Sequence, residues 1–108
     1  MNRKSDPGRG EKIIVRVDVE IQDLVPDFLE NRRKDVETLE KALAGGDVET
    51  IRILGHTMKG AGGGYGFDAI TEIGAHLEKA SKEENIEDIR IWISKLSDYM
   101  GRVEVIYE

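Results

Sequence analysis

The sequence has 108 residues, enough for one domain with a single hydrophobic core and too few for a kinase catalytic domain. Hydrophobic residues make up 39% and charged residues 35%, which is typical of a globular protein and excludes a membrane-spanning helix. The lack of cysteine excludes disulfides, thiolate metal sites and cysteine nucleophiles, and the net charge of -6 argues against a general nucleic-acid binder.

The chain begins with a polar stretch and a short extended segment. Residues 1–12 are charged and contain proline and glycine, which predicts a flexible tail, and they lack the apolar run of a signal peptide. Together with the absence of cysteine, this favours a cytoplasmic protein. From Ile13 to Val19 every second residue is apolar, the period of a strand. The segment either pairs with the β-rich residues 103–107 or lies across the helices.

Four amphipathic helices follow, because apolar residues then recur at helical spacing. The helix boundaries are marked by residues that cap or interrupt helices, in chain order Pro26, Gly45, Gly46, Asp47, Gly66, Asp68 and Asn85. Four apolar stripes joined by short links can be buried only against one another. The expected fold is all-α, an antiparallel up-down four-helix bundle over residues 13–108, with a short N-terminal extended segment or an extra helix.

The second helix is predicted to run from Asp47 to Tyr65 and to expose His56. With about 100° per residue, its buried stripe includes Leu54 and is centred about 30° from it. The stripe comprises Ile51, Leu54, Met58, Ala61 and Tyr65. His56 lies about 200° from Leu54, so it is expected to face water, with Arg52 and Lys59 beside it. The alternative is a surface histidine without function.

Glycines are unusually frequent beyond this histidine. A glycine inside a helix costs about 0.5–1 kcal/mol relative to alanine, yet Gly60 and Gly63 lie on the His56 side of the helix. A bare helix surface there would let another macromolecule approach closely. Alternatively, Gly62, Gly63 and Gly64 form a loop and the helix ends early.

An exposed histidine next to lysine suits phosphoryl chemistry. A neutral imidazole nitrogen can attack phosphorus and form a phosphoramidate. Lys59, one turn along, can supply positive charge to phosphoryl oxygens, and Arg52 can attract an acidic partner. No histidine or carboxylate follows His56 at the third or fourth position, so neither a metal site nor a cofactor is expected.

The third helix carries two further candidates. His76 is expected to be partly exposed and structural. Glu78 can orient the His56 ring if the second and third helices are antiparallel neighbours, although a position on a solvated face is equally compatible with the pattern.

The stretch His56-Thr57-Met58-Lys59-Gly60, followed by Gly66 and by Leu77-Glu78, resembles the signature of the histidine-containing phosphotransfer (HPt) family. The likeness extends more weakly over residues 13–106. It implies a helical bundle whose histidine takes a phosphoryl group from a receiver-domain aspartate or a sensor histidine kinase and passes it to another receiver. It also implies a phosphotransfer protein rather than an enzyme, with the magnesium ion on the receiver.

Carried over to this chain, the resemblance makes His56 the phosphorylated residue and Lys59 the cation on the phosphate side. Gly60 is similar to the small residue that clears the approach, and Glu78 to an acidic residue of related chemotaxis-kinase domains that bonds the histidine ring. The expected partner-binding residues are Arg52, Lys59, Gly63 and Gly64. The glycine run from Gly62 departs from many relatives, which carry small polar residues there.

Two other functions remain open at this point. The chain can be an interaction module that binds a receiver through the same basic face without being phosphorylated. It can also be the phosphoryl-accepting segment of a larger histidine kinase. A monomer is expected, because no exposed apolar stripe is evident, and neither nucleic acid nor membrane is expected as a partner.

Overall fold

A computed structural model describes residues 11–108 of the chain. Its elements are β1 (Ile13–Val17), α1 (Val25–Ala44), α2 (Val48–Ala61), α3 (Asp68–Lys82), α4 (Ile86–Arg102) and β2 (Val103–Tyr107). The predicted four-helix bundle with its N-terminal extended segment is confirmed. The predicted flexible tail, residues 1–12, lies outside the described residues except for its last two, which have no regular secondary structure.

Local capping determines where the helices begin. The side chain of Asp47 accepts a hydrogen bond from the backbone N–H of Thr50 at 3.1 Å, and Asn85 accepts one from Asp88 at 3.1 Å. Hydrogen bonds from the hydroxyl and the amide of Thr50 also lower the pKa of Asp47. Both caps satisfy amides that have no partner within the helix.

The second helix ends earlier than its apolar periodicity predicts. α2 stops at Ala61, a separate 3-10 turn covers Gly63–Tyr65, and Gly66 closes the segment with a φ of +90°. The predicted continuation to Tyr65 is therefore wrong, and the glycine run forms a separate turn. Consecutive glycines stabilise a helix poorly, and the N–H of Phe67 instead bonds the Gly62 carbonyl at 2.9 Å.

The extended segment pairs with the end of the chain. β1 and β2 form a parallel two-stranded sheet in which Ile13 lies beside Val103 and Val17 beside Tyr107. Val17 belongs to the core, whereas Ile14 on the opposite face is 45% exposed. Of the two alternatives for this segment, pairing with residues 103–107 is the one observed.

The core lies between the helices and includes side chains that have no exposed surface. These are Leu39, Ile51, Met58, Phe67, Ile70, Leu77, Ile89 and Leu96. Leu54, predicted within the buried stripe of α2, is only half-buried, as are Ala61 and Tyr65. The buried line of α2 is instead Ile51, Gly55 and Met58, since glycine has no side chain to register in an apolar pattern. No helix within residues 11–108 is long and apolar enough to span a membrane.

Candidate functional site

His56 projects from the outer face of α2. Its side chain is 66% exposed, and that of Lys59, one turn along, is 43% exposed. Both residues lie on the face that the helical wheel predicts for them. The imidazole is therefore open to a macromolecular partner.

A buried carboxylate on α3 holds both residues. Glu78 has only 8% of its side chain exposed, and its Oε2 lies 2.9 Å from Nδ1 of His56. Its Oε1 accepts a hydrogen bond from Nζ of Lys59 at 2.7 Å. The alternative in which Glu78 lies on a solvated face is wrong, because α3 packs directly against α2 and carries this side chain between the two helices.

The charge on Glu78 determines which ring nitrogen of His56 carries hydrogen. The hydrogen bond from Lys59, assisted by that from His56, outweighs the effect of burial and lowers the pKa of Glu78 to about 2. An ionised carboxylate only accepts hydrogen bonds, so Nδ1 of His56 must be the donor. In the neutral ring the lone pair then lies on Nε2, on the opposite side of the imidazole.

Acidification is expected to remove this support. Because the pKa of Glu78 is lower in the folded chain than its ordinary value of 4.5, the unfolded chain binds the proton first. The stability that Glu78 contributes is thus fully present above about pH 4.5 and is lost as the pH falls toward about 2. Melting temperatures of wild type and Glu78→Gln should therefore converge across this window. A difference that stays constant down to pH 2 would contradict the assignment.

Two further cations lie near the site. Lys82, one turn after Glu78 on α3, places Nζ 3.7 Å from Oε2 of that carboxylate. The prediction of site residues missed it, although its spacing of four residues from Glu78 is a usable signal. Arg52, predicted as a partner-binding residue, forms two hydrogen bonds with Glu49 at 3.0 and 2.6 Å, so its charge is paired within α2.

The surface beyond Lys59 is bare. A Cβ added at Gly60 or Gly64 would meet no other atom within 4 Å, and one at Gly63 would meet the Thr71 hydroxyl at 3.6 Å. On the other side of His56, Ile53 is 49% exposed, an apolar surface residue that the predicted site did not include. The outer face of α2 thus combines a histidine, a lysine, an isoleucine and open backbone.

His76 lies away from this cluster. Two residues along a helix correspond to about 200°, so His76 and Glu78 point to nearly opposite sides of α3. The His76 ring stacks on Trp92 of α4 with 4.0 Å between ring centroids. Within the described residues, no group of three or more histidine, aspartate or glutamate side chains is arranged to hold a metal ion.

Comparison with known proteins adds a finding that is independent of this geometry. A family model described as the Hpt domain matches residues 23–104. Neither the curated proteins nor the solved structures include a significant match. The matched range contains all four helices together with His56, Lys59 and Glu78.

Proposed function

The chain belongs to the Hpt domain family, and from this membership we propose that it is a phosphorelay intermediate with His56 as its phosphoryl acceptor. Hpt domains act in histidine phosphotransfer within two-component phosphorelays and have no catalytic domain of their own. The donor is the phosphorylated aspartate of a receiver domain or a partner histidine kinase, and the acceptor is another receiver. The single observation that carries the proposal is an exposed imidazole whose Nδ1 is bound by a buried carboxylate.

In the proposed reaction, the nucleophile that this chain supplies is the lone pair on Nε2 of His56. Nε2 of His56 attacks the phosphorus of the aspartyl phosphate, and the N–P bond forms as the bond from phosphorus to the aspartate oxygen breaks. The aspartate leaves as a carboxylate with the bonding electrons. The ring, still protonated at Nδ1, becomes cationic, and the negative charge of Glu78 stabilises it. Transfer to the next receiver is the reverse reaction.

Lys59 is the proposed source of charge for the phosphoryl oxygens. Its ammonium binds the same carboxylate as His56 does, and nearly half of its side chain is exposed. A lysine side chain is flexible and can turn from Glu78 toward a phosphoryl group on Nε2 without a change in the helix. Gly60, which has open space where a side chain would stand, is proposed to admit the receiver.

The proposed docking surface is the outer face of α2 and the turn that follows. Arg52, Lys59, Gly63 and Gly64 are the predicted contacts, and the exposed Ile53 adds an apolar one. The receiver is proposed to bring the aspartate and the magnesium ion. This assignment also carries the expectations of a monomeric protein and of a cytoplasmic location, where it would meet its receivers.

A transfer assay tests the function directly. The protein is mixed with a panel of receivers carrying radioactive aspartyl phosphate, and in parallel with phosphoramidate, a small donor that needs no partner. We expect label on this chain that is labile in acid and stable in alkali, as a phosphohistidine is. Receivers that bind without transferring label, together with no label from phosphoramidate, would instead favour the interaction module. Acid-stable label would exclude histidine as the acceptor.

A further inference from the structure

Two glycines form the contact between α2 and α3 beside the site. Gly55 directly precedes His56 on α2, and Gly74 lies one turn before Glu78 on α3. Both are buried. The two helices meet backbone to backbone at this point, which is the closest approach that helices can make.

The contacts of these glycines are with the backbone of the site residues. A Cβ added at Gly55 would lie 2.8 Å from the backbone nitrogen of Glu78. One added at Gly74 would lie 2.5 Å from the backbone nitrogen of Lys59 and 2.7 Å from the carbonyl oxygen of Gly55. Cβ atoms in proteins essentially never lie within 3.0 Å of a non-bonded heavy atom, so an alanine at either position would force the helices apart.

The position of the Glu78 carboxylate is closely constrained. Its two carboxylate oxygens are each engaged, at 2.9 Å from His56 and at 2.7 Å from Lys59, and the side chain is almost fully buried. A hydrogen bond weakens steeply once the heavy atoms are more than about 3.2 Å apart. Moving α3 away from α2 by about 1 Å would therefore break or weaken both bonds together.

We propose that Gly55 and Gly74 are positioning residues for His56. Their contact holds α2 and α3 at the one spacing at which Glu78 binds Nδ1, and this keeps the lone pair of the neutral ring on Nε2. The consequence for phosphotransfer rests on the proposed function of His56. The ring tautomer itself is a separate property, and it can be measured in the absence of any phosphoryl donor.

A third glycine provides a matched control. A Cβ at Gly62 would lie 2.7 Å from the backbone nitrogen of Thr71 and 2.8 Å from the carbonyl oxygen of Phe67. This contact also joins the α2 side of the bundle to the start of α3, and it is as tight as the other two. It lies just after the end of α2 and about two helical turns beyond Gly55, so an alanine there should destabilise the bundle without separating Glu78 from His56.

The experiment records the imidazole nitrogen resonances of His56 in wild type, Gly55→Ala, Gly74→Ala and Gly62→Ala. Folding is checked by circular dichroism. At a pH where the ring is neutral, we expect the wild-type spectrum to show hydrogen on Nδ1. The Gly55 and Gly74 variants should show a mixture of tautomers and a rate of labelling by phosphoramidate at least about tenfold lower. Gly62→Ala should lose stability but keep the wild-type spectrum.

Several outcomes would overturn the proposal. A folded Gly74→Ala protein with the wild-type His56 spectrum is one, and an equal change in Gly62→Ala is another. If neither site variant folds, Glu78→Asp decides, because it shortens the carboxylate by one methylene and leaves both glycines in place. A wild-type spectrum in Glu78→Asp would show that the ring tautomer of His56 does not require the carboxylate to stand at this distance from the ring, and this would overturn the proposal. If wild-type protein accepted no phosphoryl label, this would refute the proposed function but not the positioning role of the two glycines.

Discussion

Replacing His56 with glutamine is expected to abolish phosphoryl acceptance while leaving the fold intact. A glutamine amide has no nucleophilic lone pair, so neither a phosphorylated receiver nor phosphoramidate can form an N–P bond at this position. The cost in stability should be small, since most of the side chain is exposed and Lys59 still neutralises Glu78. Labelling assays and thermal melts on the same preparation measure the two effects.

His76→Gln is the control for this experiment. His76 is the other of the two histidines in the chain, it is exposed, and it stacks on Trp92 rather than on any site residue. Its replacement should leave the extent of labelling unchanged. If acid-labile label survived in His56→Gln, or disappeared in His76→Gln, the assignment of His56 as the acceptor would be wrong.

Ile51→Ala is expected to have the largest effect on stability, lowering the free energy of unfolding by about 2–5 kcal/mol. Ile51 has no exposed surface and lies on the buried line of α2, so truncation loses apolar burial and leaves a cavity among close-packed neighbours. Denaturant unfolding monitored by circular dichroism gives the value. The fluorescence of Trp92 offers a second probe.

Leu54→Ala is the matched comparison on the same helix. The apolar periodicity predicts Leu54 within the buried stripe, but the side chain is only half-buried, so its truncation should cost clearly less than that of Ile51. If Leu54→Ala lowered the free energy of unfolding as much as Ile51→Ala or more, Leu54 would lie in the buried stripe of α2, as the periodicity alone predicts.

Local signals in the sequence predicted the helix ends well. Asp47 and Asn85 act within their own first turns, and Gly46 follows α1 with a φ of +73°, which glycine adopts readily, so none of these needs a distant partner. The end of α2 was less predictable. Apolar residues continue at helical spacing to Tyr65, and this periodicity competed with the low helix propensity of Gly62, Gly63 and Gly64.

The burial of Glu78 and its bond to His56 could not be predicted from local signals. Its sequence position fits both an exposed face of α3 and a position against α2, and only the second makes it a partner of His56. The choice depends on Gly55 and Gly74, which admit the close approach of the helices. Neither glycine contributes to a hydrophobic pattern, and 18 residues of chain lie between them.

The amino-acid sequence by itself determined the order of the helices, their ends apart from that of α2, and the outward face that carries His56 and Lys59. These depend on capping and on the 3.6-residue period, which act over a few residues of chain. Only the tertiary structure decided that Glu78 is buried, ionised and bonded to the imidazole. That outcome depends on the distance between the backbones of α2 and α3. Contacts between residues far apart in the sequence set this distance.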